Sequence, residues 1–261
     1  MRPVTLITGA SAGIGAALAR VFAEHGHETV LVARREDRLT ALAAEIAAKG
    51  QPRPIVLKAD LERHDAAGDI AARLSALDVE PEIVVNNAGF GLMGPADAVS
   101  RERQLAMIDV NVRALTDLSL AFVDSLARRR GGILNVASIC SFMPGPRMAV
   151  YYASKAYVLS FSEALHQELS PRGIRVTALC PGPVPTEFHD HSGLDPDSLP
   201  KLLTLSAEEV ARIGYDSLKR GKRVVVPGFG NRLGTRLAQL VPHALLLPLI
   251  DWGTIRRTRR S

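Results

Sequence analysis

Cysteine is scarce in this chain, which excludes two kinds of explanation at once. Only Cys140 and Cys180 occur in 261 residues. Their spacing fits no metal site and cannot build a disulfide framework, so nothing points to an oxidising compartment. Both read as small buried hydrophobes. A long apolar run is also missing. Met1-Arg2-Pro3 leads straight into an apolar stretch too short for a signal core, so no secretory signal is expected. Near the other end, Arg232, Arg236, Pro242, His243 and Pro248 interrupt the apolar positions Leu233, Leu237, Leu240, Val241, Ala244, Leu245 and Leu247. A spanning helix is therefore not expected there. Internal repeats, low-complexity linkers and nucleic-acid motifs are not seen either.

What is present is a core-forming chain with a regular alternation. Hydrophobic residues make up 47% of it, enough for a sizeable core. Its length suits one α/β domain, placed at residues 1–250, followed by a basic tail at 251–261. Strands are expected near 3–8, 28–33, 54–59, 82–86, 132–137, 174–180 and 223–227. Helices are expected near 14–25, 36–49, 65–77, 101–129, 150–170, 206–220 and 232–247. Such alternation predicts a doubly wound parallel sheet with helices on both faces. Ligands of such sheets bind beyond the carboxyl ends of the strands. Thr8, Asp60, Asn86, Ser138 and Pro181 all fall at or just past predicted strand ends.

Two motifs carry chemistry. In Tyr151-Tyr152-Ala153-Ser154-Lys155, the outer tyrosine and the lysine lie one helical turn apart. A nearby ammonium favours the phenolate, so the pair can form a tuned acid/base. Alone it proves little, since Tyr and Lys fall four apart by chance in many surface helices. The second motif is the run Val4 to Ile7, followed by Thr8-Gly9-Ala10-Ser11-Ala12-Gly13-Ile14-Gly15 and a helix. Glycines there let backbone approach a pyrophosphate, and the helix N-terminus favours its charge. The spacing differs from G-x-G-x-x-G. The plain alternative is a Gly-rich turn without a ligand, and strand, turn and helix in that order weigh against it.

Asn86-Asn87-Ala88-Gly89 follows the apolar strand Ile83-Val84-Val85, and Ser138 ends the strand that starts at Gly132. Together with Tyr151 to Lys155, and with Pro181-Gly182 followed by Thr186, these motifs resemble the short-chain dehydrogenase/reductase family in its short single-domain form. They run in the family's order from residue 8 to 186, and the match weakens after Phe188. The resemblance implies a Rossmann-type fold, a nicotinamide cofactor and a carbonyl/alcohol substrate. It implies cofactor contacts at Thr8, Gly9, Ser11, Gly13, Ile14, Gly15, Asp60, Leu61, Asn87, Ala88 and Gly89. Tyr151, Lys155, Pro181, Gly182, Val184 and Thr186 complete that set. Tyr151 would donate a proton to the substrate oxygen, Lys155 would lower the phenol pKa and bind the ribose, and Ser138 would hold the substrate oxygen. Asn111 would order water in a relay to the lysine, although a polar residue in a helical interface is the alternative. Tyr152 is also on the Lys155 side of its helix, and family spacing selects Tyr151. Asp60 has a plain alternative as a helix N-cap.

The second strand bears on the choice of cofactor. An acidic residue roughly 20 positions past the glycine turn would accept hydrogen bonds from an adenosine ribose and repel a 2′-phosphate. Here Ala33 holds that place and Arg34-Arg35 follow. Guanidinium groups fork around phosphate, and cations at a helix start are disfavoured unless an anion is present. NADP(H) is expected, with Arg34 preferred as its partner. The alternative is two solvated residues opening a helix.

Phe90, Leu92, Met93, Phe142, Met143, Phe188, His189 and His191 are candidates for a mostly apolar pocket, with a substrate loop near 187–205. A metal is not expected, because His189 and His191 lack a third ligand. Three readings follow: a cytoplasmic NADP(H)-dependent reductase of a hydrophobic ketone or aldehyde, a non-catalytic NADP(H)-binding regulator, or a membrane-associated reductase of ketoacyl or steroid substrates. The resemblance also implies a homodimer or homotetramer formed through helices near 101–129 and 150–170. The basic tail of Arg256, Arg257, Arg259 and Arg260 permits a membrane-surface contact, though packing plus a solvated tail is favoured.

Overall fold

The strands are continuous apolar runs because both faces of the sheet are covered. In β1 (Arg2–Thr8), Val4 and Leu6 enter one core and Ile7 enters the other. In β2 (Thr29–Ala33), Val30 and Val32 join the first core and Leu31 the second. The period of two along a strand thus sorts its side chains into two layers. The computed structural model describes residues 1–187 and 203–258.

Five further strands complete the sheet: β3 (Ile55–Lys58), β4 (Val79–Asn86), β5 (Gly132–Val136), β6 (Arg175–Leu179) and β7 (Val224–Val225). Their order is β3-β2-β1-β4-β5-β6-β7, and every adjacent pair is parallel. One core takes residues from α1 (Gly13–Glu24), α2 (Glu36–Ala48) and the Ala207–Lys219 helix. The other takes Ile70 and Leu74 of α3 (Ala66–Ala76) and Leu165 and Leu169 of a later helix, Ala149–Leu169. The strand order reverses between β1 and β4. This topology opens a crevice above their carboxyl ends.

Two expected helices are broken, each for a physical reason. The stretch 101–129 divides into α4 (Arg101–Ile108), a π-helical turn (Asp109–Ala114), α5 (Leu115–Ala121) and α6 (Val123–Arg129). Single π turns often mark functional positions, and this one carries the fully buried Asn111. The expected helix at 232–247 divides into Phe229–Leu240 and His243–Thr258. Val241 is extended (φ −81°, ψ 127°), because Pro242 sterically disfavours helix in the residue before it.

The second of these helices runs through the expected domain boundary at 250. Asp251, assigned by sequence to a free tail, accepts from Arg147 Nε at 2.7 Å. Their side chains are 39% and 31% exposed, so Asp251→Asn should cost no more than about 1 kcal/mol. Truncation after Ile250 removes the rest of the helix as well and should lower the thermal midpoint more than that substitution does. Equal midpoints for truncated and full-length protein would show that the helix end contributes nothing to stability.

Candidate active site

The Gly-rich turn takes its shape from its neighbours. Thr8 Oγ1 accepts from the backbone N–H groups of Asn87 (3.0 Å) and Ala88 (3.1 Å). Asn87 Nδ2 donates back to the carbonyls of Thr8 (3.0 Å) and Gly9 (3.3 Å). The turn and the Asn87-Ala88-Gly89 loop are therefore one unit. A Cβ at Gly15 would lie 2.2 Å from the Gly9 carbonyl oxygen and 2.4 Å from Asn87 Nδ2. Only glycine fits there. Gly13 packs under Thr186, and Ile14 lines the cavity beside Ser11.

That cavity, about 600 Å³, runs along the crevice. At one end lie Ser11, Arg34, Arg35, Asp60 and Leu61, and Ser138, Tyr151 and Lys155 line it as well. Its wall after β6 is Pro181, Gly182, Val184 and Thr186. Pro181 is anchored through its carbonyl, which accepts from Ile139 N at 3.0 Å. Asp60 does not cap α3, whose N-cap is Asp65; its Oδ1 instead accepts from Glu62 N at 3.1 Å in a turn after β3.

Helix α7 (Ala149–Leu169) brings the tyrosine and lysine inward together. Tyr151 and Lys155 are both buried. Lys155 Nζ donates to the Val136 carbonyl at 2.8 Å and lies 5.9 Å from the centroid of the Tyr151 ring. Ser141 Oγ ties the loop after β5 to this helix by donating to the Lys155 carbonyl at 2.7 Å. Ser138 begins that loop, and its hydroxyl accepts from Cys140 N at 3.1 Å. Burial pushes the Lys155 ammonium down to about 8. The charge on the phenol goes the other way from the sequence expectation. Burial is the largest influence on Tyr151 and raises its pKa, the Cys140 thiol beside it raises it further, and a hydrogen bond to Ser138 acts in the lowering direction. The buried phenol is therefore held in its protonated form. Tyr152 lies edge-on to Tyr151, with ring centroids 6.2 Å apart, and packs against Gly145. Cys140 is a neighbour of both tyrosines; its thiol is raised by burial and hydrogen-bonds Ser138 and Tyr152.

Asn111 is committed to its surroundings. Its Nδ2 donates to the Phe90 carbonyl (3.0 Å) and to Ser154 Oγ (3.1 Å), while Oδ1 accepts from Phe90 N at 3.1 Å. It clamps the loop after β4 to α7. Asn86 points below the site, where Nδ2 donates to Asn135 Oδ1 and Ser119 Oγ, each at 2.9 Å.

The two arginines after β2 diverge. Arg34 is exposed and pairs with Glu62 Oε1 at 2.9 Å. Arg35 folds over the Gly-rich turn, where Nη2 donates to Ser11 Oγ at 3.0 Å and Nη1 to Glu187 Oε2 at 2.7 Å. Arg38 reaches the other oxygen of the same carboxylate. The two guanidinium groups hold the Glu187 carboxyl below the usual carboxylate range. Sequence reasoning preferred Arg34 as the phosphate partner; both arginines line the cavity, and Arg35 is the one that reaches the Gly-rich turn. Sequence offered one hint, since Arg35 and Arg38 are three apart on one helical face. It offered none for Glu187. Of the apolar pocket candidates, Phe90 and Met93 line the cavity, while Phe188, His189 and His191 lie outside the described residues. Among the described residues no cluster of three or more His, Cys, Asp or Glu could hold a metal.

The short chain dehydrogenase family profile matches residues 3–196. The chain belongs to the short-chain dehydrogenase family. A sulfoacetaldehyde reductase from Chromohalobacter salexigens is 37% identical over 191 residues, which cover 72% of this chain and 75% of that protein. A short-chain dehydrogenase from Sphingobium yanoikuyae, solved with NADPH, superposes with a TM-score of 0.80 at 34% identity, covering 91% of this chain and 94% of that one. The 3-ketoacyl-(acyl-carrier-protein) reductase of Brucella melitensis, solved with NADH, gives 0.77 at 29% identity, covering 88% and 98%. This short-chain dehydrogenase is thus an oxidoreductase whose relatives bind NAD(P)(H). Among the described residues no helix is long and apolar enough to cross a membrane.

Proposed function

We propose that this chain is an NADPH-dependent reductase of hydrophobic ketones or aldehydes. The observation that carries the proposal is one cavity holding two functions: an Arg35–Ser11 corner beside the Gly-rich turn, and the set Ser138, Tyr151 and Lys155. Gly9, Ser11, Ala12, Gly13 and Ile14 line the cavity where α1 begins, and backbone N–H groups at a helix start suit a pyrophosphate. Ala33 leaves the ribose position free of a carboxylate, and the guanidinium of Arg35 suits a 2′-phosphate. The NADPH complex of the Sphingobium relative supports the same choice, and two of the relatives named above are carbonyl reductases.

When bound, the reduced nicotinamide supplies a hydride to the carbonyl carbon. The chain supplies the proton and the position. Tyr151, held protonated by burial, donates its phenolic proton to the carbonyl oxygen, and an alcohol forms. Ser138 hydrogen-bonds that oxygen and keeps it near the phenol. Lys155 places a positive charge beside the phenolate that is left, and a proton returns through solvent on the Asn111 side. Asn111 Nδ2 has two acceptors and Oδ1 already accepts from Phe90 N, so a relay water would take the second lone pair of Oδ1 or the main-chain carbonyl. Phe90, Met93 and Met148 make that end of the cavity apolar. Exposed Leu105, Ile108 and Leu120 on α4 and α5 support the expected homo-oligomer.

NADPH consumption should be followed over a panel of aliphatic and aromatic ketones, aldehydes, ketoacyl thioesters and ketosteroids. NADPH binding without turnover of any of them would favour the regulator. The rate of reduction is expected to fall as pH rises through about 8, where Lys155 loses its proton. The sign follows from the depressed lysine, whose charged form persists only below that value. A flat pH profile across that midpoint would remove the ammonium from the mechanism.

A further inference from the structure

The Phe229–Leu240 helix is amphipathic with its faces reversed relative to the rest of the protein. Its buried residues are the polar Asn231 and Thr235. Asn231 Nδ2 donates to the carbonyls of Leu203 (2.9 Å) and Pro227 (3.0 Å), and its amide packs on Gly182 of the cofactor wall. Phe229, Leu233, Leu237 and Leu240 lie on the outer side. Leu249 and Trp252 of the His243–Thr258 helix extend the exposed apolar surface, and all six side chains are 48–79% exposed. In a globular protein the apolar stripe of a surface helix normally faces the core. An outward stripe of this size marks a docking surface.

The charge around the stripe identifies the partner. Arg232 and Arg236 are exposed on the same helix, beside the leucines. Between Phe229 and Trp252 the sequence holds one acidic residue, Asp251, and Arg147 pairs with that carboxylate. A second copy of this chain is a poor occupant. A two-fold interface sets a patch against itself and would bring both sets of arginines together. An anionic lipid surface suits both features: leucines and an aromatic ring enter the headgroup boundary, and flanking cations meet lipid phosphate.

We propose that the two C-terminal helices dock this protein in the plane of an anionic membrane, without crossing it. The proposal is independent of what the active site reduces. The test is co-sedimentation of the full chain with vesicles of phosphatidylcholine alone and of phosphatidylcholine mixed with phosphatidylglycerol. Binding is expected to the mixed vesicles, and raising salt to about 1 M should release it, since screening then acts within about 3 Å. Arg232→Gln and Arg236→Gln should each weaken binding about fivefold. Leu233→Glu/Leu237→Glu should abolish it while keeping the thermal midpoint and NADPH affinity of the wild type. Light scattering on the same samples gives subunit number. Failure to bind mixed vesicles overturns the proposal. So does a leucine double variant that still binds them, or one that only dissociates an oligomer of a wild type that ignores lipid.

Discussion

Tyr151→Phe is expected to reduce turnover by about 10²–10⁴-fold, the usual cost of losing a positioned general acid. The substitution removes one oxygen and keeps the ring that packs with Met107 and Met148. NADPH affinity should survive, because the phenol acts on substrate. Tyr152→Phe is the control. Its ring is a neighbour of Tyr151, but its hydroxyl is engaged with the Cys140 thiol, so turnover should stay within a few-fold of wild type. Lys155→Ala should lower both turnover and cofactor affinity. Single-turnover reduction and dinucleotide titration on all three variants separate these outcomes. A dead Tyr152→Phe beside an active Tyr151→Phe would shift the proton donor by one residue. Three variants indistinguishable from wild type would end the proposed mechanism.

The second large effect concerns the phosphate corner. NADPH should bind more tightly than NADH, and Arg35→Ala should weaken NADPH by roughly tenfold to a hundredfold, the worth of a charge-assisted hydrogen bond of about 1.5–3 kcal/mol. NADH affinity should change little. Arg34→Ala should cost less, because Arg34 is exposed and already paired with Glu62. Glu187→Gln should tighten NADPH, since it removes a negative charge held between Arg35 and Arg38. Equal affinity of wild type for the two dinucleotides would defeat the assignment. A selective NADPH loss confined to Arg34→Ala would return the role to the first arginine.

These residues also show how far sequence reaches. The strands were legible because buried parallel strands are short continuous apolar runs, and Val30-Leu31-Val32 can hardly be anything else. Position along the chain then located the crevice, since Thr8, Asn86 and Ser138 end or follow strands. The π turn was not legible. Leu115 and Leu118 keep an ordinary helical spacing, and only the hydrogen bonds of Asn111 across to Phe90 reveal why the helix widens. Arg35 was ambiguous because a sequence says that two cations follow a strand, not which one folds back over the turn. Glu187 was invisible, since its partners lie 149 and 152 positions away. The direction of the Tyr151 shift was misjudged for a related reason. Proximity of a lysine can be read from spacing, whereas the depth of burial that outweighs it belongs to the tertiary structure.

The bracing of the glycine turn by Asn87 has a consequence for the order of assembly. A chain emerging from the ribosome completes β1, the turn and α1 within its first 24 residues. It does not yet contain the side chain that donates to the carbonyls of Thr8 and Gly9, nor the two N–H groups that Thr8 Oγ1 accepts. Those arrive with β4, which must pair beside β1 after β2 and β3 have already been made on its other side. The Gly-rich turn is therefore specified early and shaped late. Dinucleotide binding can stabilise this protein only from the stage at which β4 is in place, and until then the first β-α-β-α-β unit has to hold together on its own strand pairing and apolar packing.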